Sequence, residues 1–246
     1  MEKITVVVGD IHGCLEEFKE LLNLIQYKPS QMRLVSLGDM MDRGPDPVGV
    51  VRRVRSMGIE TLKGNHEEKH VRWRKHEEKR AKDGTPNPMK QMSEADAAAN
   101  AALTDQEMSW MRDLPLKLNL GNNWWAVHAG CEPTRTLAKQ NPAQIMRVRY
   151  VDEQGRAVAL GPTLDQPEGT VYWDTQWKGP ESIIYGHCVH DLSTVRITNL
   201  VHDVFCIGID TGCCFGGHLT AAFLEPDVTS FIQVKAKKKY YEGHGE

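Results

Sequence analysis

The first sixty residues alternate between two hydrophobic periods, and this alternation constrains the fold more than any other feature of the sequence. A continuous apolar run at 4–8 predicts a buried strand, and apolar residues then recur at helical spacing over 15–25. A second strand is predicted at 33–37, a second helix after Asp46-Pro47, and a third strand at 59–62. The order β-α-β-α-β implies parallel strands joined by right-handed crossovers, with helices covering the sheet.

The rest of the chain divides into a charged helical stretch and a β-rich second half. Residues 67–113 have a strongly charged, helical pattern, and a capping box at Thr104-Asp-Gln-Glu107 starts a short helix there. Short apolar runs between glycine turns then predict strands at 116–120, 124–127, 182–185, 194–198, 204–209, 218–224 and 229–234. We therefore predict one α/β (α+β) domain over 1–234, with 67–113 as a lid-like helical insertion and 235–246 as a polar tail.

The composition argues against several classes of protein. Thirty basic and 33 acidic residues give a formal net charge of −3, so no overall field favours a nucleic acid or a membrane as partner. No apolar run is long enough to span a bilayer or to form a signal peptide, and we expect a soluble, cytoplasmic protein. The six cysteines have no CxxC spacing, which favours a reducing compartment and structural thiols.

Polar clusters behind glycines follow three successive predicted strands. They are Gly9-Asp10-Ile-His12-Gly13, Gly38-Asp39-Met-Met-Asp42-Arg43-Gly44 and Gly64-Asn65-His66-Glu67. Asp10 and His12 project to the same side of an extended backbone, and the carboxyl ends of parallel strands meet at one edge of a sheet. Several carboxylates brought together repel one another unless a cation lies between them. Because the donors are oxygen and nitrogen, the clusters predict a divalent-metal site of the Mn²⁺, Fe or Mg²⁺ type rather than thiolate zinc.

These motifs, in this order, resemble the signature of the PPP-type (calcineurin-like) metallophosphoesterases, the superfamily of the serine/threonine protein phosphatases. Val127-His128-Ala129-Gly130 and Tyr185-Gly186-His187 resemble the later metal-binding motifs of that family, and 209–222 is similar to its bacterial and phage branch. The resemblance implies a four-layer fold, a two-sheet β sandwich flanked by helices with a helical insertion over the site. It also implies two divalent metal ions, with Mn²⁺ favoured and Fe, Zn, Ni or Mg²⁺ as alternatives.

The resemblance assigns the metal ligands position by position. Asp10 and His12 would hold the first metal, and Asp39 would bridge the two metals. The second metal would be completed by Asn65, His128 and His187. Two neighbouring divalent ions lower the pKa of a bridging water, so that a hydroxide attacks phosphorus directly and no covalent enzyme intermediate is needed.

The resemblance also assigns catalytic and substrate-binding residues. His66 would protonate the leaving group, with Asp42 holding its imidazole. Arg43 would bind two phosphate oxygens, a contact that a lysine does not reproduce. The family places a second arginine between its last two histidine motifs, where this chain offers Arg147 and Arg149, and we favour Arg149. Asn65 would contact the substrate as well as the metal.

Three substrate classes remain open at this point. The first choice is a phosphomonoesterase that acts on phospho-Ser/Thr proteins or small phosphoesters; the second is a dinucleoside tetraphosphate (diadenosine tetraphosphate type) hydrolase; the third is a polynucleotide 2′,3′-phosphatase. A non-catalytic metal-binding scaffold is an alternative of another class, disfavoured because Asp42, Arg43 and His66 are all present. The sequence leaves the oligomeric state open.

Other charged residues have a simpler interpretation. The basic face of the insertion would suit a polyphosphate or a nucleic acid, but pairs such as Glu68 with Arg72, four residues apart on a helix, explain the pattern without a ligand. Nucleic acid is therefore a possible partner that we do not favour. Surface or structural roles are expected for His70, His76, His202, His218 and His244, whereas for His190, three residues after His187, a place in the lining of the pocket stays open.

Overall fold

The computed structural model describes residues 3–160, 165–201, 203–224 and 229–243. Its helices are α1 (Leu15–Leu24), α2 (Pro47–Ser56), α3 (Asn65–Asp83), α4 (Glu94–Ala102) and α5 (Asp105–Arg112). The strands of the first half are β1 (Ile4–Val8), β2 (Met32–Ser36), β3 (Glu60–Thr61), β4 (Lys117–Gly121) and β5 (Trp124–Val127). Those of the second half are β6 (Tyr150–Val151), β7 (Ala157–Val158), β8 (Val171–Tyr172), β9 (Ser182–Tyr185), β10 (Arg196–Val201), β11 (Val204–Gly208), β12 (His218–Leu224) and β13 (Thr229–Lys235). His202 and His244, two of the histidines considered above, lie outside the described residues.

Two five-stranded sheets form the centre of the molecule. The first has the order β13-β12-β1-β2-β3, and its β1, β2 and β3 are parallel, as the alternating period of the first sixty residues predicts. The second has the order β10-β11-β9-β5-β4, with β5, β9 and β11 parallel. A third, small sheet has the order β7-β6-β8. Each of its strands has two residues, which is too short to show a hydrophobic period, so the sequence did not predict them.

Three buried clusters hold these layers together. Val7 and Leu37 of the first sheet face Ile184 of the second sheet in a core between the two sheets. On the other face of the first sheet, α1, α2 and α5 bury Phe18, Leu21, Val51, Val54 and Met111. The outer face of the second sheet is covered by residues of 137–151 together with Trp173 and Trp177 rather than by a long helix. The predicted two-sheet sandwich of the calcineurin-like type is confirmed, with this irregular layer on its second side.

Helix capping follows from the sequence at two predicted positions. The Asp46 side chain accepts the Gly49 backbone N–H at 2.8 Å at the start of α2. At the start of α5, Glu107 N–H donates to Thr104 Oγ1, and Thr104 N–H donates to the Glu107 carboxylate at 2.8 Å. Glu107 also accepts the Arg52 guanidinium at 2.8 Å, and this hydrogen bond is the main reason that the pKa of Glu107 falls to about 2. The capping box therefore also joins α5 to α2.

The last described residues contact the rest of the molecule more closely than a solvated tail would. Tyr240 OH donates to Glu17 Oε1 at 2.6 Å, and the backbone N–H of Tyr241 donates to the Cys214 carbonyl at 3.0 Å. The lysine side chains at 237–239 are exposed, as expected for the polar tail. The rings of Tyr240 and Tyr241 differ from these lysines, because Tyr240 packs against the apolar core and Tyr241 lies against the Arg43 guanidinium next to the site. None of the helices in the described ranges combines the length and the apolar composition that a bilayer crossing requires.

Candidate metal centre and active site

The predicted metal ligands lie where strands of both sheets end. Asp10 and Asp39 follow β1 and β2 of the first sheet, and His128 and His187 follow β5 and β9 of the second sheet. Asn65 is the first residue of α3, two residues earlier than the helical insertion was predicted to begin. Because parallel strands of both sheets end at the same edge of the sandwich, side chains far apart in sequence meet there.

Asp39 is shared by two clusters of possible ligand atoms. In one cluster, ligand atoms of His12, Asp39 and His66 lie within 4.8 Å of one another. In the other, the same holds for Asp39, His128 and His187. Asp39 Oδ2 is 3.6 Å from His12 Nε2 and 3.3 Å from His128 Nε2. This position suits the bridging role that the sequence motif predicts.

Asp10 carries an unsatisfied oxygen that fits a bound cation. Its Oδ2 accepts the His187 backbone N–H at 2.9 Å, whereas its buried Oδ1 has no hydrogen-bond partner within the described part of the chain. Burial and the neighbouring Asp210 raise the pKa of Asp10 well above its usual value. An unpaired buried carboxylate oxygen is costly unless a cation or a donor reaches it. The residues present therefore fit a divalent metal ion.

The histidines present their Nε2 atoms to the centre. His12 Nδ1 lies 2.7 Å from the Met41 carbonyl and His128 Nδ1 lies 2.8 Å from the Leu37 carbonyl, so each Nδ1–H donates to a backbone oxygen. This arrangement turns each Nε2 toward the place where a metal would bind; in this structure His12 Nε2 contacts Arg43 at 2.8 Å and His128 Nε2 contacts Asn65 Oδ1 at 3.0 Å. Burial, and then the positive charge of Arg43, lower the pKa of His12 well below its usual value, so the neutral form is favoured.

Glycines and left-handed backbone conformations allow the close approach of these groups. A Cβ atom on Gly64 would lie 2.0 Å from Asp39 Oδ1, and one on Gly186 would lie 2.0 Å from Asp10 Oδ1. Five site residues have a positive φ although none is a glycine, namely His12, Asp39, Asp42, Arg43 and His187. Such conformations cost free energy and persist where the surrounding structure imposes them.

Glu67 fixes the loop that carries Asp39. Its fully buried carboxylate accepts backbone N–H groups of Asp39 and Met40, each at 2.8 Å, and of Gly64 at 2.9 Å. Burial, and then the charge of Asp39, raise the pKa of Glu67. The sequence analysis placed Glu67 both in the third polar cluster and at the start of the helical insertion, and gave it no role at the site. Its place directly after Asn65-His66 was the available signal of a different role.

Asp42 and His66 form the predicted pair, within a larger network. His66 Nδ1 is 2.5 Å from Asp42 Oδ2, and Lys69 Nζ donates to the same oxygen at 2.6 Å. His70 Nε2 is 2.6 Å from Asp42 Oδ1. Burial opposes ionisation of Asp42, but the hydrogen bonds from His66 and His70 lower its pKa well below the usual value. Of the surface and structural roles expected for His70, the structural role fits, because α3 places this residue one turn after His66, facing Asp42 and fully buried.

The predicted arginines occupy different depths. Arg43 lies 2.8 Å from His12 Nε2 and 3.1 Å from His66 Nε2 through its two terminal nitrogens. Arg149, 7% exposed, donates its Nε–H to His187 Nε2 at 3.3 Å. The side chain of Arg147 is 40% exposed and pairs with Glu68 at 2.6 Å. Arg43 and Arg149 therefore reach the centre, and Arg147 lies at its rim.

Asp210 is a further acidic residue that the sequence interpretation missed. It is buried, its Oδ1 accepts the Gly212 N–H at 3.0 Å, and its charge contributes to the raised pKa of Asp10. Ile209-Asp210-Thr-Gly212 follows β11, so it repeats the order of strand, aspartate and glycine found in the first two motifs.

Two cavities of similar size adjoin the centre. We call the first, of about 460 Å³, the apolar cavity; its lining includes Asn65, Arg147, Val148, Val158, Leu160 and His187. We call the second, of about 450 Å³, the acid-side cavity; its lining includes Asp42, Arg43, His66, Lys69, Asp96 and Tyr241. His190 is absent from both sets of described lining residues; it lies between Tyr172 and Tyr185, and burial lowers its pKa to about 4.

The chain is similar to known proteins over most of its length. It is 29% identical to the bis(5′-nucleosyl)-tetraphosphatase PrpE [asymmetrical] of Oceanobacillus iheyensis, over 95% of this chain and 93% of that protein. It is 26% identical to the symmetrical bis(5′-nucleosyl)-tetraphosphatase of Shewanella baltica, over 94% of this chain and 98% of that protein.

Solved structures share the fold. A crystal structure described as that of a candidate diadenosine tetraphosphatase superposes with a TM-score of 0.76 at 24% identity, covering 98% of this chain and 95% of that one. A Saccharomyces cerevisiae serine/threonine phosphatase with similarity to human phosphatase PP5 gives 0.57 at 14% identity, covering 96% and 81%. Residues 5–219 match the family model of the calcineurin-like phosphoesterases. The chain therefore belongs to the calcineurin-like phosphoesterase family and is a metal-dependent phosphoesterase, as its ordered motifs predict.

Proposed function

We propose that this phosphoesterase hydrolyses dinucleoside polyphosphates of the diadenosine tetraphosphate type. The observation that carries the proposal is the pair of cavities, about 460 and 450 Å³, that reach the candidate centre through different residues, Asn65 and His187 in one and Arg43 and His66 in the other. A dinucleoside polyphosphate has a nucleoside at each end of a phosphate chain, so it suits a centre that two cavities reach. The names of the bacterial relatives support this substrate class over the phosphomonoesterase that the sequence favours.

The two cavities suit the two ends of such a substrate in different ways. Val148, Val158 and Leu160 give the apolar cavity walls against which a nucleobase packs, with Arg147 at the rim toward the phosphates. The acid-side cavity offers the Lys69 ammonium and the Tyr241 ring. This combination suits a nucleotide whose phosphates lie near the centre and whose base or ribose lies outward.

The metal ligands are proposed as the sequence motifs assign them. Asp10 and His12 would hold one divalent ion, with Asp39 shared by the two ions; the unpaired Oδ1 supports the role of Asp10, and the two clusters that share Asp39 support the rest. Asn65, His128 and His187 would complete the second site. When bound, the two ions supply Lewis acidity and lower the pKa of water, and Mn²⁺ is the ion we expect from the mixed oxygen and nitrogen donors.

The arginines and the acid pair act on the substrate itself. Arg43 and Arg149 would hold non-bridging phosphate oxygens through paired N–H groups, while Arg147 would reach a more distant phosphate. In its doubly protonated form His66 would donate its Nε2 proton to the leaving oxygen, while Asp42 accepts its Nδ1–H. Asp42 thereby fixes which nitrogen faces the substrate.

The completeness of this acid pair favours a second candidate, the phosphomonoesterase of the first sequence interpretation. A nucleotide is a weakly basic leaving group and needs little protonation, whereas the alkoxide of serine or of a sugar needs a proton in the transition state. Asp42 accepts hydrogen bonds from three side chains, and such a network serves an alkoxide leaving group better than a nucleotide.

A substrate panel tests the proposal directly. The Mn²⁺-loaded protein is assayed on diadenosine tetraphosphate, a phosphoserine peptide and a 2′,3′-cyclic nucleotide, with EDTA and the Asp39→Asn variant as controls for contaminating activity. We expect the highest kcat/KM for diadenosine tetraphosphate. A higher value for the peptide would replace the proposal with the second candidate, and a higher value for the cyclic nucleotide would support the polynucleotide 2′,3′-phosphatase instead.

The products of diadenosine tetraphosphate identify the linkage that is cleaved. AMP with ATP shows cleavage of the P–O–P linkage next to one end of the phosphate chain, and two molecules of ADP show cleavage of the central linkage. Inactivity of the metal-loaded protein on all three substrates would contradict both candidate functions.

A further inference from the structure

We propose that His70 and Asn100 are positioning residues for the general acid and connect it to the helical insertion. The inference rests on the acid role proposed for His66. It adds a chain of hydrogen bonds that runs from α4 through α3 to Asp42, and it predicts how substrates with different leaving groups respond when that chain is broken.

The hydrogen-bond directions along this chain are determined by Asn100. Its Nδ2 lies 3.0 Å from His70 Nδ1 and 3.0 Å from the His70 carbonyl oxygen. An amide nitrogen only donates, so His70 Nδ1 is an acceptor and the ring proton is on Nε2. That Nε2–H donates to Asp42 Oδ1 at 2.6 Å.

The same carboxylate holds His66 with its other oxygen. Asp42 Oδ2 accepts from His66 Nδ1 at 2.5 Å and from Lys69 at 2.6 Å. With His70 on Oδ1, both oxygens are fixed and the carboxylate plane does not rotate. Because Asp42 accepts from His66 Nδ1, a fixed carboxylate helps to hold the direction of His66 Nε2, and His70 contributes to this through Oδ1.

Every member of the chain is shielded from water. His66, His70, Asp42 and Asn100 are all buried. Water does not replace a lost donor in such a place, so removing the Asn100 amide leaves His70 free to change its tautomer or its orientation.

The far end of the chain is anchored in the insertion. Arg74 Nε donates to Asn100 Oδ1 at 3.1 Å, and its guanidinium also contacts the carbonyl oxygens of Asn100 and Leu103. A parallel route runs from Asp42 through Lys69 to Asp96 of α4, at 3.1 Å. Lys69 and Asp96 line the acid-side cavity. The helix α4, which would contact a substrate in that cavity, therefore also supports the proposed acid His66.

A leaving-group series tests the proposal with the full-length, Mn²⁺-loaded protein. The variants Asn100→Leu and His70→Leu are assayed on phenyl phosphate, which needs a proton on leaving, and on 4-nitrophenyl phosphate, which hardly does. We expect kcat to fall roughly 10-fold on phenyl phosphate and less than about 3-fold on 4-nitrophenyl phosphate, with KM unchanged. His70→Gln, which keeps an N–H donor for Asp42, should restore part of the loss.

Two controls separate positioning from folding and from the acid role itself. Asn87→Leu removes a comparable amide hydrogen bond within the insertion, from Asn87 Nδ2 to Glu77 at 2.8 Å, and should leave both rates unchanged. Thermal unfolding of each variant reports its folded fraction.

Equal losses on both substrates, or no loss, in the folded Asn100 and His70 variants would overturn the positioning role. His66→Asn is assayed beside them. If that variant loses both activities equally, the acid role in the proposed function fails as well, and the two failures are thereby distinguished.

Discussion

The two cavities beside the metal centre differ in how firmly their walls are held. In the acid-side cavity, Asp42 alone accepts hydrogen bonds from three side chains, and α4 supports two of the donors. In the apolar cavity, the charged group at the rim is Arg147, whose side chain is 40% exposed, and Ala157 and Val158 come from the two-residue strand β7. Groups that handle protons need fixed geometry, whereas a surface that packs against a base needs mainly shape and low polarity.

The greatest loss is expected where Gly186 packs against the proposed metal ligand Asp10. In Gly186→Ala the new Cβ would lie 2.0 Å from Asp10 Oδ1, so it displaces the carboxylate, and we expect metal affinity to fall roughly 100-fold. Metal titration followed by calorimetry measures the change. Gly84→Ala is the matched control: nothing lies within 4 Å of its Cβ, and its φ of +75° should affect stability only. Unchanged metal affinity in Gly186→Ala would remove Asp10 from the ligand set.

The next largest loss is expected at Arg149, which reaches the centre, and a smaller one at Arg147, which lies at the rim. Arg149→Lys loses the paired N–H contact, and we expect kcat/KM to fall roughly 10- to 30-fold on both diadenosine tetraphosphate and 4-nitrophenyl phosphate. Arg147→Lys should affect diadenosine tetraphosphate alone, by about 3-fold. Steady-state kinetics on the two substrates give the four ratios. The reverse pattern would make Arg147 the second phosphate ligand.

A smaller effect tests the apolar cavity. Leu160→Asp places a carboxylate where a base would pack, and we expect KM for diadenosine tetraphosphate to rise about 5-fold with kcat unchanged. The kinetics of 4-nitrophenyl phosphate, which has no base, should stay the same. Leu24→Asp alters an exposed leucine on α1 and serves as the control. An unchanged KM would show that this cavity does not receive the base.

The smallest effect concerns the support behind the acid-side cavity. Arg52 joins Glu107 at 2.8 Å to the carbonyl of Ala102 at 3.0 Å, and Ala102 lines that cavity. The pKa of Glu107 is lowered to about 2, so its stabilising contribution is complete above the unfolded value of about 4.3 and disappears as the pH falls toward 2.

We expect Glu107→Gln to lower the free energy of unfolding by about 1 kcal/mol at pH 7 and by almost nothing near pH 2. Urea unfolding at the two pH values measures the difference, with Glu20→Gln on the exposed face of α1 as control. A loss that does not depend on pH would assign the effect to packing instead of charge.

The sequence predicted those parts of the fold and site that depend on short segments. The parallel strands β1, β2 and β3 follow from local hydrophobic periods, and the positions of Asp10 and Asp39 follow from glycine-punctuated strand ends, whereas His128 was assigned by the family resemblance. The family assignment follows from the order of these motifs and is confirmed.

The rest depends on partners that lie far apart in sequence. The partner of His70 is Asn100, thirty residues later, and the buried state of Glu67 depends on a loop that begins 28 residues earlier. Asp210 repeats the order of strand, aspartate and glycine, but one short segment alone does not distinguish a site residue from an ordinary turn. Two-residue strands such as β6 leave no period to detect.

The hydrogen bond from the His187 backbone to Asp10 joins residues 177 positions apart. During synthesis the first motif thus leaves the ribosome long before its partner exists. The proposed ligand set, which extends from Asp10 to His187, is therefore complete only in a chain that has been synthesised at least as far as β9 and the residues that follow it.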